Sequence, residues 1–156
     1  MAATATQQII QNGPRNLVLK YTIAGTTGDV SGLNLVNLST LDSLGTGGLR
    51  LEKAKWSLTG CSCKLQWEGP SSKDLIEMQG TWGDYDFSCN GGIVNNATDQ
   101  TGNITYTTTG YGAGGDGGHI ILYFKKRSGT AVTSPSPDML VGTLTLTGTT
   151  PTVTVA

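Results

Sequence analysis

Charged residues are scarce in this 156-residue chain, and long apolar runs are missing from it. Lys, Arg, Asp and Glu make up 13% of the residues, about half the share that is usual in a soluble domain. The net charge is −1, so the chain lacks the positive balance typical of nucleic-acid-binding proteins. No run of 18 apolar residues is present, which argues against a transmembrane helix. We therefore expect neither nucleic acid nor a membrane as a partner.

The N-terminal residues do not have the pattern that predicts a secretion signal. Residues 1–8 read MAATATQQ, which offers neither a charged start nor an apolar stretch. The sequence therefore predicts synthesis in a cytosol, with release by lysis or by assembly into something larger.

Residues that bind metals or form disulfides are few. The cysteines are Cys61, Cys63 and Cys89, and His119 is the single histidine. Thiols two residues apart on a strand lie on one face, about 6.5–7 Å apart, which is poor geometry for a disulfide. No second Cys or His pair supports a zinc site. We expect the cysteines to be small buried side chains, and we predict no metal and no cofactor.

Three patterns that resemble catalytic motifs have simpler interpretations. Residues 110–115 (GYGAGG) match the glycine pattern of a dinucleotide site but precede a strand, where that site needs a helix. His119 lies near Asp116, yet no nucleophile motif accompanies the pair. Asp84 and Asp86 share a strand face, as the paired carboxylates of a glycosidase would, but carboxylates near turns usually cap or solubilise them. The sequence predicts a non-enzymatic protein with a flexible glycine-rich loop and no catalytic residues.

Glycine and threonine are abundant. The 23 glycines favour tight turns, and threonine favours strands. Apolar and polar residues alternate with a period of two, and no window shows convincing helical periodicity. Residues 33–41 (LNLVNLSTL) are the one segment that could form a short helix, and we interpret them as a strand followed by a turn. The strongest strand signal is residues 119–127, whose unbroken apolar centre indicates burial on both faces or a central position in a sheet. Short strands with frequent turn signals predict an all-β fold, an antiparallel, jelly-roll-like β-sandwich.

The alternation changes phase within residues 49–59. A bulge near Lys53-Ala54 would explain the change, because one extra residue reverses which side chains face inward. Residues 62–68 alternate strictly, which places Trp67 on the inward face. We interpret residues 49–68 as a hairpin.

The composition divides the chain into a body and two extended arms. The predicted sandwich body spans residues 13–127, and the Pro/Ser-rich residues 128–138 form a linker. The N-terminal arm (1–12) and the Thr-rich C-terminal arm (139–156) hold too few apolar residues for a core, so each is expected to pair with a sheet edge. The arm residues predicted to make contacts between subunits are Ile9, Ile10, Leu144, Leu146, Val153 and Val155.

Two surface features leave other roles open. Trp82 lies between two turn glycines, and together with Tyr111 it is a candidate for contact with a glycan or a partner through its aromatic ring. Residues 125–127 (KKR) close the last strong strand. We interpret them as a solvated strand end, with contact to phosphate or to an acidic partner as the alternative.

Several turn and strand motifs occur in an order that resembles a known family. They are GPRN at 13–16, LQWEG at 65–69, GGIVNNA at 91–97, TGNI at 101–104 and GDGGHIIL at 115–122. Over about residues 11–127, this series is similar to small virion structural proteins of tailed bacteriophages. The chain departs from the family pattern by continuing for 29 residues beyond Arg127. These additional residues could change which neighbouring protein of the particle the chain binds.

The resemblance implies a β-sandwich subunit of a phage particle, made in the bacterial cytoplasm. We expect a capsid decoration or cement protein that lies on the virion surface, binds the major capsid protein and forms a homotrimer. The alternative is a neck, tail or fibre component with glycan-binding loops. In either case, binding would come from many weak contacts repeated over a symmetric assembly.

Overall fold

Strands make up nearly all the regular structure of the protein. The structure, a computed structural model, describes residues 2–25, 28–41, 48–95, 101–112 and 114–127. The strands within these ranges are β1 (Thr4–Asn12), β2 (Asn16–Ala24), β3 (Leu33–Val36), β4 (Leu49–Thr59), β5 (Ser62–Trp67), β6 (Lys73–Met78), β7 (Gly83–Asp86), β8 (Ile93–Val94), β9 (Ile104–Thr109) and β10 (Gly117–Lys126). Short 3₁₀ turns lie at Leu38–Thr40 and Ser88–Asn90.

The strands form two antiparallel sheets. The first has the order β1-β2-β10-β4-β7, and β8 also pairs with β4. The second has the order β3-β9-β5-β6. Every strand pair is antiparallel, and the inward side chains of both sheets form one hydrophobic core. The prediction of an all-β antiparallel sandwich is confirmed.

The alternating pattern of the sequence matches the buried face of the sheets. On β2 the buried side chains include Leu17, Leu19 and Tyr21, and on β5 they include Leu65 and Trp67. Because successive strand residues point to opposite faces, residues two apart on β2 and β5 face the core together. The inward position predicted for Trp67 is confirmed.

A bulge in β4 reverses its side-chain phase, as predicted. Leu51 pairs with Phe124 and Lys53 pairs with Tyr123, which makes Glu52 the extra residue. The bulge therefore lies next to Lys53, at the edge of the predicted position.

The hairpin predicted for residues 49–68 is wrong. Strand β4 belongs to the first sheet and β5 to the second, and they do not pair with each other. Gly60, with a φ of 71°, lies at the corner where the chain passes between the sheets. A turn glycine and two alternating segments are common to a hairpin and to a corner between sheets, so the pattern does not distinguish the two.

Strand β10 occupies the centre of the first sheet, between β2 and β4. Its inward residues, such as Leu122, are fully buried, whereas Ile121 and Tyr123 on the other face are only half-buried. Of the two alternatives predicted for this segment, the central position in a sheet is confirmed. The other alternative, burial on both faces, is wrong.

Of the two predicted arms, the structure describes the N-terminal one, from residue 2 onwards, but not the C-terminal one. The N-terminal residues 4–12 form β1, which pairs along its length with β2 of the same chain. The linker and the C-terminal arm, with Leu144, Leu146, Val153 and Val155, lie outside the described residues.

Candidate interaction surfaces

Strand β1 is an edge strand of the first sheet, with β2 on one side. Its other side pairs with no strand of the part of the chain that the structure describes. The register shifts between Ile9 and Gln11, so Ile10 is an extra residue in the strand. Ile9 and Ile10 are 47% and 53% exposed. This edge therefore presents unpaired backbone groups beside two large apolar side chains.

Side-chain bonds hold β1 against the rest of the molecule. Gln7 Nε2 donates to the Tyr21 hydroxyl at 2.8 Å, and this hydroxyl donates to the carbonyl of Leu35 in the second sheet at 2.9 Å. Tyr21 is 1% exposed, and its burial raises the pKa of the phenol, which keeps the hydroxyl protonated as a donor. The free edge of β1 is thus held at a fixed position.

The other described sheet edges carry features that oppose further pairing. Strand β6 carries Lys73, Asp74 and Glu77, and β7 carries Asp84 and Asp86. Strands β3 and β8 are only four and two residues long. Besides a bulge, which β1 has at Ile10, short length and charge are two ways in which proteins prevent edge-to-edge association. Strand β1 has nine residues and no charged side chain, so it lacks both of these protections.

Trp82 is the most exposed large apolar side chain of the described residues, at 78%. The turn that carries it is held by two bonds from β4: Trp56 Nε1 donates to the Gln79 carbonyl at 2.9 Å, and Ser57 Oγ donates to the Thr81 carbonyl at 3.0 Å. A shallow groove of about 180 Å³ lies beside the ring. It is lined by Lys55, Trp56, Ser57, Trp82, His119 and Ile121.

Tyr111, the second predicted aromatic contact, is not on the surface. It is 2% exposed, and its hydroxyl donates to the Asp116 carbonyl at 2.5 Å. The Asp29 carboxylate accepts from the backbone N–H groups of Gly110, at 3.1 Å, and Tyr111, at 2.8 Å, and so directs the loop inward. The expectation for Tyr111 is corrected, because its ring has no free face for a sugar. The other residues that line the groove beside Trp82 belong to β4 and β10, which are distant from Trp82 in sequence.

The carboxylates of Asp84 and Asp86 surround one cation. Lys53 Nζ lies 3.7 Å from Asp84 and 3.1 Å from Asp86. The side chain and backbone N–H of Ser88 donate to Asp86 and, with Lys53, lower its pKa to about 2. A glycosidase needs a carboxylic acid with a raised pKa, so Asp86 suits an ion pair better than that role.

His119 and Asp116 each have a hydrogen-bond partner of their own. His119 Nδ1 lies 3.1 Å from Thr22 Oγ1, while an Asp116 carboxylate oxygen accepts from the Gly112 N–H at 3.0 Å. Among the described residues, no group of three His, Cys, Asp or Glu side chains is placed to hold a metal ion. The same ranges contain no helix long and apolar enough to cross a membrane.

The three cysteines are free thiols in different environments. Cys63 is buried, Cys61 is half-buried and Cys89 is exposed. Burial raises the pKa of Cys63 to about 12 and, less strongly, raises that of Cys61. The expected burial is confirmed for Cys63 and is wrong for Cys89, which lies in the 3₁₀ turn after β7.

Comparisons of the chain with protein-family models, with curated proteins and with solved structures gave no match.

Proposed function

We propose that this protein is a non-enzymatic capsid decoration protein of a tailed bacteriophage, which binds the major capsid protein and stabilises the shell. The observation that carries the proposal is the β1 edge, which is long, uncharged and flanked by the exposed Ile9 and Ile10. The motif series of residues 11–127 supports the phage origin by resemblance.

Strand addition explains how such an edge binds. A partner strand that pairs with β1 satisfies its unpaired N–H and C=O groups, and side chains beside the strand add contact area. Burying an isoleucine contributes about 1.5–3 kcal/mol, part of which is offset by the cost of ordering the partner. Each contact is weak, but a subunit that engages several sites at once, as a homotrimer would, gains avidity.

Binding to expanded shells that lack decoration tests the proposal. We expect saturable binding at a fixed ratio to the capsid subunits, and higher resistance of the shell to heat. Binding at a single vertex would contradict a decoration role.

A pair of lysine variants tests the role of the β1 edge. Ile10→Lys places a charge on this edge and should weaken shell binding at least tenfold, because charge opposes strand addition. Val94→Lys is the matched control, since Val94 is also an exposed strand residue but lies on β8. Equal shell binding by the two variants would show that the β1 edge is not the surface that binds the shell.

The exposed Trp82 ring supports a second candidate, a neck, tail or fibre component that binds glycans. A tryptophan beside a groove with polar groups suits a sugar, because its ring stacks on the apolar face of the sugar. Binding to a glycan array that disappears in Trp82→Ala but persists in Tyr85→Ala would favour this candidate. Tyr85 is the control because it is also exposed, on β7, but does not line the groove.

A further inference from the structure

Half of the basic residues of the chain gather at one end of the first sheet. Strand β10 ends there, and the backbone joins it to its neighbours: the Lys126 N–H donates to the Arg15 carbonyl at 2.8 Å, and the Arg127 N–H donates to the Gly48 carbonyl at 3.2 Å. Five of the ten Lys and Arg residues lie in this region. We call them the basic corner: Arg15, Arg50, Lys125, Lys126 and Arg127.

One carboxylate partly compensates this charge. The Glu52 carboxylate lies 3.0 Å from Arg50 Nη2 and 3.0 Å from Lys125 Nζ. The other three cations of the basic corner form no ion pair within the described residues. Lys126 Nζ donates instead to the neutral Asn12 side chain at 2.5 Å. Arg50 Nε is buried and has no hydrogen-bond acceptor among the described residues. An excess of positive charge therefore remains among the described residues of the basic corner.

The surface of the basic corner is concave. Two adjacent depressions, of about 330 and 340 Å³, share Lys125 and Lys126 as lining residues. Arg50 and Arg127 complete the first depression, and Arg15 completes the second together with Pro14. Each depression is thus lined by at least three cationic side chains.

We propose that the basic corner is a binding site for phosphate groups. A carboxylate carries one charge and two oxygens. The position between Arg50 and Lys125, which suits a carboxylate, is already occupied by the side chain of Glu52. A phosphate monoester carries nearly two negative charges and three strong acceptor oxygens, so it matches three or four surrounding cations better. Arginine adds paired N–H donors that fit two phosphate oxygens at once.

The distribution of charge favours a compact ligand over a long polyanion. Beyond the basic corner and Glu52, the chain has five basic and ten acidic residues, so its remaining surface repels an extended nucleic acid. Two neighbouring depressions suit a ligand with two phosphates close together. A soluble phosphate ester and a phosphorylated lipid headgroup share this chemistry. This site is independent of the proposed role on a capsid.

A titration of the full 156-residue chain with inorganic pyrophosphate tests the site. We expect saturable 1:1 binding by calorimetry, weakened by added salt, and NMR amide shifts confined to residues near 15, 50 and 125–127. Arg15→Gln/Arg127→Gln should lower the affinity at least tenfold with unchanged thermal unfolding, since neither side chain makes an ion pair with the described residues. Lys64→Gln/Lys73→Gln, which removes the same charge from the second sheet, should bind as the original protein does.

Three outcomes would overturn the proposal: no saturable binding, an equal loss in the control variant, or tighter binding to oligonucleotides that grows with their length. The last result would identify a nucleic-acid surface. Vesicles distinguish the source of the phosphate. Binding to phosphatidylcholine vesicles that contain phosphatidic acid, but not to phosphatidylcholine alone, identifies a lipid headgroup. Pyrophosphate binding without vesicle binding identifies a soluble phosphate ester.

Discussion

The hydroxyl of Tyr21 joins three strands: it accepts a hydrogen bond from Gln7 on β1, at 2.8 Å, and donates one to the Leu35 carbonyl on β3, at 2.9 Å. The first contact is within the first sheet and the second crosses to the other sheet. One buried phenol therefore links the position of the edge strand to the packing of the two sheets.

Replacing Tyr21 with phenylalanine should test this link. The change removes the donor to a buried carbonyl and the acceptor for Gln7, which should lower the free energy of unfolding by about 1–3 kcal/mol. Urea unfolding measures the loss, and hydrogen exchange should show faster exchange along β1. A variant with unchanged stability and unchanged exchange in β1 would show that the link contributes nothing.

The three thiols should react with alkylating reagents in the order of their exposure. Only a thiolate reacts, and burial raises the pKa of Cys63 to about 12, so at pH 8 this thiol is protonated as well as shielded. Mass spectrometry after iodoacetamide treatment of the folded protein should find Cys89 modified and Cys63 intact. Unfolding in urea should make all three react. Modification of Cys63 at the same rate as Cys89 would contradict the buried position on β5.

Gly118→Ala should disrupt the central strand. A Cβ at Gly118 would lie 1.9 Å from the Ser57 carbonyl oxygen on β4, and its φ of 149° adds strain for a residue with a side chain. We expect a loss of more than about 3 kcal/mol in stability, or failure to fold. Gly114→Ala is the control, because its Cβ would meet no atom within 4 Å. Equal melting temperatures for the two variants would refute this account of the GDGG motif.

The contacts of the Asp86 carboxylate with Ser88 and Lys53 should contribute to stability in a defined pH range. Hydrogen bonds from Ser88 and the charge of Lys53 lower the pKa of Asp86 to about 2, below the value of about 3.9 in an unfolded chain. The contribution is therefore complete above about pH 4 and is lost as the pH falls towards 2. In acid unfolding, Asp86→Asn should lose less stability between pH 5 and 2 than the original protein. If the stability of the two proteins fell equally with pH, the contacts of Asp86 would not contribute to the pH dependence of folding.

Much of the fold was predictable from local patterns. Alternation of apolar and polar residues identified the inward face of β5, and the phase change within β4 predicted a bulge near Lys53-Ala54, which the structure places at the adjacent Glu52. These features depend on which side of a strand each residue faces, which a period of two records directly. The exposure of Trp82 also agrees with its place between two turn glycines.

Other features depended on contacts between segments that are distant in sequence. Asp29 binds the loop at Tyr111, more than 80 residues away, and this contact buries a ring that the sequence placed on the surface. The basic corner likewise combines Arg15, Arg50 and residues 125–127, because β2 and β4 pair with β10 on either side. Only the KKR segment was visible as a local cluster.

Local sequence patterns were sufficient to predict an all-β protein, because strand alternation and turn chemistry are local properties. The fold itself was needed to establish which sheet each strand joins, which described edge lacks a partner strand and which cations lie together. Those outcomes follow from strand pairing across long stretches of chain, and a turn signal such as Gly60 is compatible with a hairpin as well as with a corner between sheets.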